Sequence, residues 1–319
     1  MEPRRIAYNG RNRWSEAQRQ HHAEHLRGAL VTLLDRGPCT ARDVAESTGL
    51  SRVTANTLLH ELAELGVAQL AGLRRRSTGP QARVFTVRPA AQRIAVAVFR
   101  PGRLVTVSGL SPEYVAPART SDAGALPDPD LIAAALIPGE PRHVVVGVPS
   151  TRDVNERDLA DPLGCPVVVR SHADLAALAE AKVGTARDFL FVTGAAFKHV
   201  VDGTVRPGTG SLRPLTDWAN RTGAAETLLP AVTAACLVTE PDLVVLSDDV
   251  RDLRGPLTEA LGEFLPSPPA VALSRVGGDP VLHGALHLAA DTVRADLLRL
   301  ACGEPTPLNL ATAGTSYAP

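Results

Sequence analysis

The stretch Thr40-Ala41-Arg42-Asp43-Val44-Ala45-Glu46-Ser47-Thr48-Gly49-Leu50-Ser51-Arg52-Val53-Thr54-Ala55-Asn56-Thr57-Leu58-Leu59-His60 holds two helix starts eleven residues apart. Thr40 and Ser51 carry short hydroxyl side chains that can accept the orphan N–H groups of a first helical turn. Thr40 therefore predicts a short helix over 41–48, with Val44 and Ala45 inward. Ser51 predicts a second over 52–65, with Val53, Leu58, Leu59, Leu62 and Leu65 on or near one face. Gly49-Leu50-Ser51 is the tight turn between them, and Gly66 closes the second helix. Upstream, Leu26, Leu30, Val31 and Leu34 recur at helical spacing over 22–34, until Gly37-Pro38 stops that helix. Two short helices across such a turn make a helix-turn-helix, although a plain three-helix bundle uses the same spacing.

The next twenty residues separate those readings. Val67 to Leu70 is strand-like, Arg74-Arg75-Arg76-Ser77-Thr78-Gly79-Pro80 is a basic turn, and Ala82 to Val87 alternates as a second strand. A hairpin tipped by three arginines directly after the third helix reads as a wing, so residues 22–88 are expected to form a winged helix-turn-helix. The third helix would enter the major groove of double-stranded DNA. Its candidate contacts are Ser51, Arg52, Thr54, Ala55, Asn56, Thr57 and His60, joined by Arg74, Arg75, Arg76 and Arg83 from the wing. Arg52 suits guanine and Asn56 adenine, and either could instead hold a phosphate. Residues 1–21, with Arg4, Arg5, Arg11 and Arg13, read as a flexible basic arm. Charge agrees: residues 1–90 carry 14 Arg, no Lys and 8 acidic residues, about +6, and the remainder carries −7. A basic front on an acidic body points the front at a polyanion.

The whole chain has 319 residues, 45% hydrophobic and 21% charged, which excludes a wholly disordered protein. Aromatics are only 3%, so the core must be Leu, Val and Ala. No apolar run is long enough for a membrane span, and no secretory signal follows Met1. Cys39, Cys165, Cys236 and Cys302 lie far apart, with no C-x-x-C pair, which fits a reducing cytoplasm. His283 and His287 are spaced like metal ligands but lack a third, so no metal is expected. His21, His22 and His25 read as solvent-facing or close to DNA.

Residues 89–302 alternate strands and helices, an α/β pattern. Strands are expected at 94–99, 103–109, 143–148, 166–170, 188–193, 197–201, 243–247 and 270–274. Helices are expected at 172–185, 223–238, 251–264 and 280–301. Residues 111–129 read as a loop and 303–319 as a tail. Several stretches resemble the ROK family of repressors, uncharacterised frames and sugar kinases. They are Val146-Gly147-Val148-Pro149-Ser150, Pro166-Val167-Val168-Val169 leading into Ala176-Ala177-Leu178-Ala179-Glu180, Asp202-Gly203, Pro241-Asp242-Leu243-Val244-Val245-Leu246 and Gly284-Ala285. The resemblance covers nearly the whole chain. It implies an actin-like ATPase, ribonuclease H-like, two-lobed body behind the DNA-binding domain.

The departures from the family matter as much. The family's first phosphate hairpin, Asp-x-Gly-Gly-Thr, falls at Val98, Arg100, Pro101 and Gly102, where Pro101 has no N–H to offer. The second becomes Val192-Thr193-Gly194-Ala195-Ala196-Phe197-Lys198, and the late glycines become Ser247-Asp248-Asp249, with Asp248-Asp249 read as a helix N-terminal cap. The catalytic Asp of the kinases falls at His172 in Ser171-His172-Ala173-Asp174, and their sugar-holding Glu-x-x-His falls at Leu215 to Trp218. The zinc site has no counterpart, since 205–235 contain no Cys or His. These losses argue for no catalytic residue and no cofactor. The expectation is a sequence-specific regulator, more a repressor than an activator, that binds a palindromic operator as a homodimer. A small-molecule effector would meet a cleft of His172, Asp174, Thr193, Lys198 and Arg213. Two alternatives stay open: a residual sugar kinase carrying a DNA-binding domain, and a constitutive DNA-binding or scaffold protein without effector.

Overall fold

The computed structural model describes residues 14–75, 81–124, 126–136, 141–151, 153–184, 186–194, 196–206 and 225–304. Two compact units emerge, one from Met1–Arg93 with Thr292–Pro319 and the other from Ile94–Asp291.

In the first unit, α1 spans Glu16–Arg36, α2 Ala41–Thr48 and α3 Arg52–Glu64. Helix α1 begins six residues before the apolar periodicity does, because Ser15 and Gln18 form a capping box. Residues 16–21, expected in the arm, are therefore helical; residues 1–13 lie outside the described residues. Thr40 caps α2 in a second capping box with Asp43, and Ser51 accepts from the Thr54 N–H to cap α3. Gly49 closes α2 at φ 73°, a left-handed conformation that glycine adopts at no steric cost. Strands β2 (Ala68–Arg74) and β3 (Ala82–Val87) form an antiparallel hairpin, and β1 (Cys39–Thr40) adds to β3 with Cys39 opposite Phe85. Two-residue β1 had no sequence signal, since only its long-range partner defines it. Leu26, Leu30, Leu33, Val44, Leu58, Leu59, Leu62 and Phe85 are all at most 2% exposed. Each such side chain contributes roughly 1.5–3 kcal/mol of burial.

The second unit repeats one plan twice. Strands β4 (Ile94–Arg100) and β5 (Arg103–Ser111) form an antiparallel hairpin, and β8 (His143–Val148) and β9 (Val167–Ser171) continue from β4 in parallel. Strands β10 (Phe189–Val192) and β11 (Phe197–Val201) form the second hairpin, continued in parallel by β13 (Leu243–Leu246) and β14 (Ala270–Leu273). Short β6 (Tyr114–Val115) and β7 (Arg119–Asp122) both pair with β5, and β12 (Thr204–Val205) pairs with β11. Residues 111–129 are thus not one loop: β5 recruits two strands from a Pro- and Ser-rich segment by edge pairing.

Helices α4 (Pro129–Ala135) and α5 (Glu156–Leu163) were not expected. Both are short, and α5 carries Pro162, so only Leu159 buried against the first sheet signals it. Helix α6 (His172–Val183) and α7 (Ala225–Thr239), α8 (Arg254–Phe264) and α9 (Pro280–Ala301) match the expected helices closely. A 3-10 turn over Asp248–Leu253 precedes α8. Two of the apolar clusters among the described residues show how the sheets are covered. One joins β4, β8 and β9 to α4 and α5; the other joins β10 and β13 to α7 and α8. Gly284 of α9 lies so near the Leu175 carbonyl that an added Cβ would sit 1.8 Å from its oxygen. The Ala-rich face of α6 and the missing Cβ of Gly284 together permit this approach. Glu180, 4% exposed, accepts from the Ser274 hydroxyl (2.7 Å) and the Arg275 N–H (3.0 Å), pinning the end of β14 and the segment that leaves it.

Candidate nucleic-acid interface and body cleft

Helix α3 has two faces. Ala55, Leu58, Leu59 and Leu62 point inward, and Ala55 is 0% exposed. Ala55 is therefore a core residue and not the expected DNA contact: it lies seven residues before Leu62, two helical turns along the same face. Ser51, Arg52, Val53, Asn56 and Thr57 are exposed, and Thr54 and His60 are half-buried. Val53, expected inward, is 79% exposed. Position 53 lies two residues, about 200°, from Ala55, so the periodicity counted back from Leu62 already excludes it from the core.

The exposed polar groups are unequally committed. Arg52 and Asn56 hold no side-chain partner among the described residues, and neither does Arg75. The Ser51 and Thr54 hydroxyls bond each other (2.8 Å), and Thr57 donates to the Val53 carbonyl (3.1 Å). Arg83 on β3 lies 3.1 Å from His60 Nε2, and His60 packs edge-on against Phe85. Hairpin and helix thus share one surface. Arg74 leans 3.5 Å from Asp43. Burial raises the Asp43 carboxyl, but hydrogen bonds from Thr40 and the charges of Arg74 and Arg36 outweigh it and leave it below its ordinary range. Arg76 lies outside the described residues.

His22 is neither solvent-facing nor set apart for DNA. Its Nε2 meets Glu61 of α3 at 2.9 Å, and its ring packs edge-on to Trp14. This pair clamps α1 to the inner side of α3, where the sequence pattern gave no reason to place a carboxylate.

In the body, the expected effector residues separate. Asp174 and Lys198 meet at 2.7 Å, and Ser171 donates to Asp174 at 2.6 Å. Thr193 closes its own turn, accepting from the Ala196 N–H at 2.9 Å. His172 lies elsewhere, beside the backbone of Phe99 and Gly147. Burial, and then the Arg100 charge, push its imidazole below the ordinary histidine range. Its Nε2 is buried without a hydrogen-bond partner among the described residues. Arg213 lies outside the described residues.

The positions matching the family's phosphate hairpins hold protein groups in place of open N–H donors. Arg100 donates to both carboxylate oxygens of Asp279, at 2.6 and 2.7 Å. The Gly194 N–H donates to Asp249 Oδ2 at 2.8 Å, and the Ser247 hydroxyl bonds the other oxygen of Asp249. Asp249 was expected to cap its own helix; it caps the opposite hairpin instead. These residues do not fit a nucleotide triphosphate: a carboxylate occupies the one glycine N–H retained, and a second carboxylate stands beside Arg100. The sequence showed the lost glycines but not their replacements, because Asp249 and Gly194 are 55 residues apart. A cavity of about 660 Å³ is lined by Arg170, Asp174, Leu178, Lys182, Arg206 and Asp291, among others, and by none of these hairpin residues. No metal-binding group of three or more His, Cys, Asp or Glu side chains occurs among the described residues. No described helix is long and apolar enough to cross a membrane.

No protein-family model matches the chain, and no curated protein matches it by sequence. Solved structures do. A ROK family transcriptional regulator, a homologue of the E. coli MLC protein, is similar with a TM-score of 0.58 and 12% identity, over 88% of this chain and 99% of that one. A ROK hexokinase from Thermus thermophilus gives 0.49 and 16%, over 64% and 99%. A ROK family glucokinase from Streptomyces griseus, in complex with glucose and AMPPNP, gives 0.47 and 13%, over 62% and 99%. The chain therefore has the fold of a ROK family transcriptional regulator, an amino-terminal unit of three helices and a hairpin with an actin-like, two-sheet body.

Proposed function

We propose that the protein is a sequence-specific DNA-binding transcriptional regulator whose body has no phosphotransfer activity. The observation that carries this is the outer face of α3. Arg52 and Asn56 stand exposed there and without a side-chain partner among the described residues, on the face that continues to Arg83 and the arginine-rich hairpin, while the inner face is closed core. Helix α3 is the recognition helix, and the hairpin is a wing that follows the phosphate backbone. Two copies related by a two-fold axis would place their recognition helices about 34–36 Å apart on a palindromic site. The paired groups of the body cleft support the absence of kinase chemistry. A kinase base must accept a hydroxyl proton next to a held phosphate, and His172 has no such phosphate site beside it. The 660 Å³ cavity is the place for a small-molecule effector that would shift the dimer between DNA-binding and released forms.

The test is a selection from a random duplex library at low ionic strength, followed by titration of the selected site across salt. Enrichment of a palindrome with steep salt dependence is expected. Protein that ignores duplex DNA under these conditions would refute the proposal. Calorimetric titration with Mg-ATP and a hexose panel should give neither heat nor turnover. A thermal-shift screen of metabolites tests the effector: stabilisation coupled to altered DNA affinity is expected, and its absence leaves a constitutive binder.

A further inference from the structure

We infer that Val53 reads the C5-methyl group of a pyrimidine in the major groove, so that each half-site carries a thymine opposite the start of α3. This rests on the DNA-binding reading above and deepens it to base preference. Val53 is the second residue of α3 and is 79% exposed. It shares the outer face with Arg52, Asn56, Thr57 and His60, and no acidic residue occurs among those five positions. The face is therefore complementary in charge to a polyanion, with one apolar group set into it.

An isopropyl group left in water gains nothing, and valine is a weaker helix former than the polar residues that suit a solvated face. Val53 adds nothing to the core, whose α3 members are Ala55, Leu58, Leu59 and Leu62. It has no donor or acceptor, so it cannot pair with a phosphate or with the polar edges of guanine, adenine or cytosine. The thymine methyl is the apolar group that unmodified bases display in the major groove. 5-Methylcytosine presents the same group. Arg52 and Asn56, one before and three after Val53, supply the polar readout on either side.

The full-length protein and its Val53→Ala variant are titrated against the selected operator, with each thymine replaced in turn by deoxyuridine. At one thymine per half-site, losing the methyl should weaken the wild type roughly fourfold, the value of one buried methyl. The same replacement should leave Val53→Ala unchanged. At that position 5-methylcytosine should bind the wild type more tightly than cytosine. Because the side chain stands in solvent and alanine is the better helix former, Val53→Ala should unfold at a midpoint no lower than that of the wild type. Equal losses in both proteins, no loss at any thymine, or no difference between the two cytosines would overturn the inference. A variant that changed self-association and not DNA affinity would overturn it too, by assigning Val53 to a protein contact. Failure to select any sequence would instead strike the DNA-binding reading first, and this inference would fall with it.

Discussion

The outer face of α3 and the body cleft are both rich in polar groups, yet they differ in what those groups already hold. On α3, Arg52 and Asn56 are exposed and hold no side-chain partner among the described residues. In the cleft, Arg100 holds Asp279, Lys198 holds Asp174, and Asp249 holds the Gly194 N–H. A group that is already hydrogen-bonded offers a ligand only an exchange, whereas a hydrated group offers a new bond with water as its only competitor. The half-buried pairs of the cleft also cannot be separated cheaply, because opening one leaves a partly desolvated charge without its partner. On the proposed reading, recognition belongs to the amino-terminal unit and the remnants of the cleft are structural.

The largest expected effect bears on the open side. Replacing Arg74, Arg75 and Arg76 by Ala should flatten the salt dependence of binding by up to about 2.7 in log–log slope, if each meets one phosphate. Between 50 and 200 mM salt that amounts to about 40-fold, equal on all sequences. An unchanged slope would break the comparison at the hairpin. Arg52→Ala should cost about 1–3 kcal/mol on the selected operator if its base contact is bidentate, and little on random duplex. Competition titrations distinguish this loss of preference from a uniform weakening, which would make Arg52 a phosphate contact.

A smaller effect probes the support under the open face. Asp43→Ala removes the acceptor for the Thr40 N–H and hydroxyl and should cost about 1 kcal/mol of stability, read by urea unfolding at pH 7. The Asp43 carboxyl sits below its ordinary value of 3.8 in the folded state. Its contribution is therefore complete above that value and is lost as the pH falls through the lower, folded one. The variant should lose that part of the acid sensitivity.

The smallest effect belongs to the closed side. His172 titrates below its ordinary 6.5, chiefly through burial and then through Arg100. Below about pH 6.5 the unfolded chain takes up the proton first, so stability falls as the pH drops toward the folded value. His172→Asn should blunt this slope, whereas an unaltered slope would mean that His199 and His287, lowered in the same direction, account for it.

Local chemistry alone determined most of the elements. Thr40, Ser51 and Gly49 set the two short helices, and period-two alternation set β3 to the residue. The lost glycines and Pro101 were visible in the chain as missing donors. Segments without their own periodicity were not legible: β1, β6 and β7 exist because a neighbouring strand offers a free edge, and α5 because Leu159 finds a core. Tertiary structure alone decided that Glu61 pairs with His22 and that Asp249 caps a hairpin 55 residues away. The reason is range. Capping and turn geometry act over a few bonds and are written in adjacent residues. Whether a polar group meets water or a partner depends on which distant segment packs against it.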